Sequence, residues 1–95
     1  MLSPEELFKL VESGDSLTVE MENILLELDT TNSVTTQAEL NELLVKIYER
    51  LKKGDHIRSE RTGEFLLVND FINWVNTEFT EYSSNMFTET ITENN

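Results

Sequence analysis

Apolar positions recur at helical spacing in four stretches of this chain, separated by short polar segments. The first follows SPEE at positions 3 to 6. Ser3 can accept a hydrogen bond from the first turn, Pro4 sits where a missing N–H costs nothing, and Glu6 completes a capping box. Leu7, Phe8, Leu10 and Val11 supply a stripe to bury and Gly14 supplies a stop, which predicts a helix over 4–13. From Asp15 to Asp29 two periods compete. Leu17, Val19 and Met21 alternate as in a strand, while Leu17, Met21, Ile24, Leu25 and Leu28 fall on one helical face. A thirteen-residue strand is rare and MENILLEL is rich in helix formers, so a helix over 16–28 is expected, with a strand at 17–21 as the alternative.

DTTNSVTT has turn residues and no period, and reads as a loop. Thr36 and Glu39 then form a second capping box. Leu40, Leu43, Leu44, Ile47, Tyr48 and Leu51 make the clearest amphipathic helix in the chain, expected over 37–53 and ending at Gly54. HIRSE and EFLLV flank RTG, a short glycine-containing connection that predicts a β-hairpin. Asn69 or Asp70 is positioned to cap a last helix with Phe71, Ile72, Trp74, Val75, Phe79 and Tyr82 on one face. The predicted fold is therefore a small α+β domain, mostly helical, with three to four helices and one hairpin. A single globular unit is expected over 1–87 and a disordered acidic tail over 88–95, with Met86, Phe87 and Ile91 able to dock.

Length limits what such a fold can do. A 95-residue chain forms a modest core, and most of its 38% apolar residues are needed for packing, which favours a binding surface over a buried reaction pocket. The absence of cysteine excludes disulfides, thiolate metal sites and cysteine nucleophiles. The opening MLSPEELFKL carries acids where a signal peptide needs positive charge, and no apolar run approaches the ~18 residues of a membrane span. A soluble, cytoplasmic protein is expected, with no membrane partner.

Charge changes the picture most. The formal net charge is −12, and it is unevenly placed. Residues 1–45 carry ten acids and one base, residues 46–61 carry six bases and three acids, and residues 62–95 carry six acids and no base. Such a chain repels nucleic-acid backbones and anionic membranes and attracts basic partners. Between Lys9 and Lys46 no base is available to form the i,i+4 pairs that usually support helices. Carboxylates one turn apart on a helix stand about 5–6 Å apart, near the spacing of phosphates along a nucleic-acid strand. Glu39 with Glu42, and Glu78 with Glu81, have that spacing. With Glu20, Glu27 and Asp29 they make the candidate anionic surface. Lys46, Arg50, Lys53, Arg58 and Arg61 make a candidate basic patch on the strongest helix and the segment after it.

Short motifs offer other readings. GDSL at 14–17 resembles the signature of a class of serine esterases, which implies a nucleophilic Ser16 served by a histidine; His56 is the only histidine in the chain. SPEELFKLVESGDSLTVE resembles the opening of a DNA-binding domain of Schlafen-like and divergent helicase proteins, which implies helix, turn and strand. The sequence departs from it at Met21 and Glu22. Asp29 to Leu40 can be laid on a calcium loop, but Val34 stands for its glycine and Leu40 for its bidentate glutamate. Neither catalytic residues nor a cofactor or metal site is therefore expected. The leading expectation is a non-catalytic acidic protein, of the kind that resembles DNA in charge and is typical of phage and mobile-element inhibitors, engaging a basic, nucleic-acid-binding protein. The alternative is a winged-helix-like DNA-binding regulator using the helix and hairpin of 46–61. Homodimerisation through the helix at 37–53, a basic surface of one copy meeting an acidic surface of another, fits the same charges.

Overall fold

The computed structural model describes residues 2–31 and 33–82. The expected tail at 88–95, with Met86, Phe87 and Ile91, lies outside the described residues. The element order is α1 (Pro4–Ser13), β1 (Ser16–Leu17), α2 (Val19–Thr30), α3 (Val34–Lys52), β2 (Arg58–Ser59) and α4 (Val68–Glu78). The mostly helical α+β class and the four helices agree with the sequence pattern.

Helix α1 begins as expected. The Ser3 hydroxyl oxygen accepts from the Glu6 N–H at 3.2 Å and donates to the Glu6 carboxylate at 3.0 Å. Gly14 ends the helix for a steric reason. Its backbone is extended, at φ −71°, and a Cβ there would stand 2.6 Å from the Leu10 carbonyl oxygen. The next segment divides between the two readings the pattern allowed. Ser16 and Leu17 are strand, and the helix starts only at Val19 because Thr18 caps it, its hydroxyl oxygen accepting from the Met21 N–H at 3.1 Å.

The expected loop at DTTNSVTT is mostly helix. α2 continues to Thr30, and Ser33, not Thr36, caps α3 by accepting from the Thr36 N–H at 3.4 Å. Thr36 and Glu39 thus lie inside the first turns of α3. Polar threonines tolerate a helix once a better-placed cap lies upstream. The C-terminal end matches expectation, with Lys53 as cap and Gly54 taking the left-handed φ of +95° that lets the chain turn away.

The hairpin is reduced to one antiparallel bridge, Arg58 to Phe65, supported by Ser59 N–H to the Glu64 carbonyl at 2.8 Å and Leu66 N–H to the Ile57 carbonyl at 2.7 Å. The two-stranded sheet is instead parallel, β1 with β2, in the register Ser16–Arg58 and Leu17–Ser59. Parallel strands need a crossover, and α2 with α3 supplies it. α4 starts at Val68, one or two residues before the expected caps; Leu67 occupies the cap position without a side-chain bond, and Asp70 falls in the first turn, where its charge favours the helix dipole.

α3 lies at the centre, packed against α1, α2 and α4. Leu40, Leu43, Leu44, Ile47 and Leu51 form its buried face. They meet Leu7 and Val11 of α1, Met21 and Leu25 of α2, and Phe71, Ile72, Trp74 and Val75 of α4 in one apolar cluster. Phe79 and Tyr82 continue that cluster past the end of α4, and Trp74 and Phe79 meet edge to face at 5.0 Å. No helix among the described residues is long and apolar enough to cross a membrane.

Candidate functional site

Part of the basic segment turns inward: Lys46 and Arg50 are half-buried, while Lys53, Arg58 and Arg61 are exposed. Arg50, on the flank of α3 that faces α1, donates from Nη1 to the Gly14 carbonyl at 2.6 Å and the Val11 carbonyl at 3.2 Å, and from Nε to Asp55 at 2.9 Å. It closes the C-terminal end of α1, whose last carbonyls have no partner within the helix. Lys46, one turn earlier, stands 3.8 Å from Glu12 of α1. Arg61 pairs with Glu22 at 3.3 Å and lies over the Trp74 ring at 5.9 Å. Arg58 donates to the Gly63 carbonyl at 2.9 Å and lies over Phe65. Lys53 is exposed beside Glu12, Lys46, Glu49 and Arg50 in a shallow depression. Of the five expected patch residues, Lys46, Arg50 and Lys53 line one depression, and Arg58 and Arg61 are exposed against the rings of Phe65 and Trp74.

Glu22 shows the cost of this arrangement. The residue is only 5% exposed, and burial raises its pKa above the ordinary 4.5; the Arg61 guanidinium opposes that shift by charge and hydrogen bonding, while Glu60 adds to it. Sequence spacing did not single out Glu22, because its partner is 39 positions away.

The candidate acids separate into three sets. Asp29 does not belong to the surface: it is 1% exposed, and one carboxylate oxygen accepts the Glu81 N–H at 3.2 Å, tying the end of α2 to the chain leaving α4. Its other oxygen, Oδ1, has no hydrogen-bond partner. A solvated position was expected there, but Asp29 falls on the buried side of the last turn of α2. Glu78 is exposed, lining a separate depression with Arg61, Asn73 and Trp74, and Glu81 is exposed just beyond α4. Glu20, Glu27 and Glu39 come together. They stand around a groove of about 500 Å³ between α1, α2 and the start of α3. Glu42 is exposed one turn further along α3 from Glu39.

The groove is floored by side chains that the core does not fully cover: Leu2, Phe8, Ile24 and Leu28 are half-buried against it. Among the described residues, its lining holds no lysine, arginine or histidine. The Glu20 carboxylate accepts the Leu2 N–H at 3.3 Å, which draws the chain ahead of α1 against the rim. Sequence periodicity does not separate this groove from the core. Phe8, Ile24 and Leu28 belong to the apolar faces of their helices, and packing leaves them half-buried.

GDSL occupies a structural position. Gly14 closes α1, and Ser16 enters the parallel ladder opposite Arg58. The stretch Asp29 to Leu40 includes the end of α2 and the first turns of α3. Comparison with known proteins adds no family: no family model, curated protein or solved structure matches this chain.

Proposed function

We propose that this chain is a non-catalytic binding protein whose acidic face engages a basic, nucleic-acid-binding protein, meeting it where that protein would meet DNA. The observation that carries this reading is the fate of the chain's own cations. Lys46, Arg50 and Arg61 are paired with Glu12, Asp55 and Glu22, none of which belongs to the candidate surface. Glu27, Glu39, Glu42 and Glu78 are exposed, and among the described residues none has a lysine or arginine nitrogen within 4 Å. Lys46, Arg50 and Arg61 thus act as internal counterions for the α1–α3 and α2–α4 contacts, and Glu27, Glu39 and Glu42 are left for a partner. Association through them would be fast and sensitive to salt.

A winged-helix reading has less support. Its recognition helix would be α3, whose guanidinium at Arg50 is held by backbone carbonyls of α1, and its wing would be a segment with a single antiparallel bridge. Two measurements test the choice. In a gel-shift titration at low salt, the protein is expected to leave a 30-base-pair duplex unshifted. When the protein is immobilised and exposed to lysate, nucleic-acid-binding proteins should be retained and then released by added duplex DNA. A shift of the duplex at ordinary ionic strength, or retained proteins indifferent to competing DNA, would overturn the proposal.

A further inference from the structure

We infer that the groove between α1, α2 and α3 is a seat for an amphipathic basic helix of the partner protein. Its apolar side chains would lie on Leu2, Phe8, Ile24 and Leu28, and its lysines or arginines would reach Glu20, Glu27 and Glu39. The inference deepens the proposed function and rests on it. Two observations argue for this occupant. The floor is apolar and open, about 500 Å³, enough for a few large side chains of a helix presented at i, i+3/i+4 and i+7. The rim is anionic, with carboxylates contributed by two helices and no basic side chain among the described lining residues. A strand of nucleic acid fails the second condition, and a neutral helix gains nothing from it.

Charge also argues against occupants from within the protein. The segment after Tyr82, SSNMFTETITENN, carries two acids and no base, so it meets the rim with like charge. A second copy would have to offer the 46–61 segment, whose Arg50 and Arg61 are engaged by their own chain and whose exposed Lys52 and Lys53 adjoin Leu51, an apolar side chain already buried in the core. Complementarity therefore selects a foreign helix with positive flanks. Apolar burial would supply affinity, and the flanking charges would set orientation and on-rate.

The test uses the full chain and three labelled synthetic peptides read by fluorescence anisotropy: an amphipathic helix of leucine and lysine, an oligolysine of equal charge, and a leucine–glutamate helix. The leucine–lysine helix is expected to bind at least tenfold more tightly than oligolysine and to perturb the NMR signals of Leu2, Phe8, Ile24 and Leu28. Triple reversal E20K/E27K/E39K, three exposed positions, should weaken that helix at least tenfold. Reversal of the acids outside the groove, E42K/E78K/E81K, should change it less than threefold.

Equal binding of the leucine–lysine helix and oligolysine would overturn the groove while leaving the acidic-surface proposal standing; failure of both peptides to bind would remove both. Equal losses from the two triple reversals would also overturn the groove. A tenfold gain in affinity on M86D/F87D/I91D would overturn it in favour of the chain's own tail, and concentration-dependent dimerisation abolished by E20K/E27K/E39K would overturn it in favour of a second copy.

Discussion

Single residues in this protein owe their roles to what the fold places beside them, and Glu22 is the clearest case. Its carboxylate is buried against Arg61, and burial outweighs the pairing, so its pKa in the folded chain lies above the ordinary 4.5. A group that binds its proton more tightly when folded stabilises the fold fully at pH values below the unfolded pKa. That contribution is lost as pH rises through the folded value. Glu22→Gln removes the titration, so the stability of the variant relative to wild type should increase as pH rises from about 4 through the mildly acidic range and level off thereafter. Urea unfolding at a series of pH values measures this, and a difference independent of pH would show that Glu22 titrates alike in both states. Tyr82 is a second buried titrating group, its hydroxyl pushed up to about 12 by burial while it donates to Asn41 at 2.7 Å.

Helices in this molecule are joined by side chains reaching backbone. Arg50 links α3 to the last carbonyls of α1 and, through Asp55, to the turn that follows α3. Arg50→Ala leaves two carbonyls of α1 and the Asp55 carboxylate short of a donor. It should cost about 2–3 kcal/mol of stability in denaturant unfolding. Lysine cannot reproduce the planar fork, so Arg50→Lys should recover less than half of that loss. Lys53→Ala, at an exposed position on the same helix, should stay within about 0.5 kcal/mol of wild type. Equal effects at both positions would mean that the basic segment is a solvated patch and not a clamp.

Self-repulsion governs the molecule as a unit. With a net charge of −12 and, among the described residues, three bases held in ion pairs with the chain's own carboxylates, the folded chain concentrates negative charge that its unfolded form spreads out. Screening shortens from about 30 Å in 0.01 M salt to about 3 Å at 1 M. Raising sodium chloride over that range should therefore stabilise the protein by about 1 kcal/mol, moving its Tm up by about 4–8 °C. A Tm that falls with salt would show that the three internal pairs outweigh the repulsion. Binding to a basic partner should respond in the opposite sense, weakening as salt rises.

Local chemistry alone decided much of this architecture. SPEE starts α1, Gly14 ends it, Gly54 turns the chain out of α3, and the i, i+3, i+4 recurrence from Leu40 to Leu51 marks the face that α3 buries. Each depends on neighbours within a turn or two, so reading along the chain finds it. The parallel pairing of Ser16–Leu17 with Arg58–Ser59, the burial of Asp29 and Glu22, and the capture of Arg50 by α1 depend on partners about 40 to 50 positions away, or on which side of a helix is covered. Charge content announced an acidic protein. Which carboxylates stand together around an apolar floor was decided by the packing of α1 and α2 on α3, because a residue's place along the chain does not specify its distance from residues on another helix.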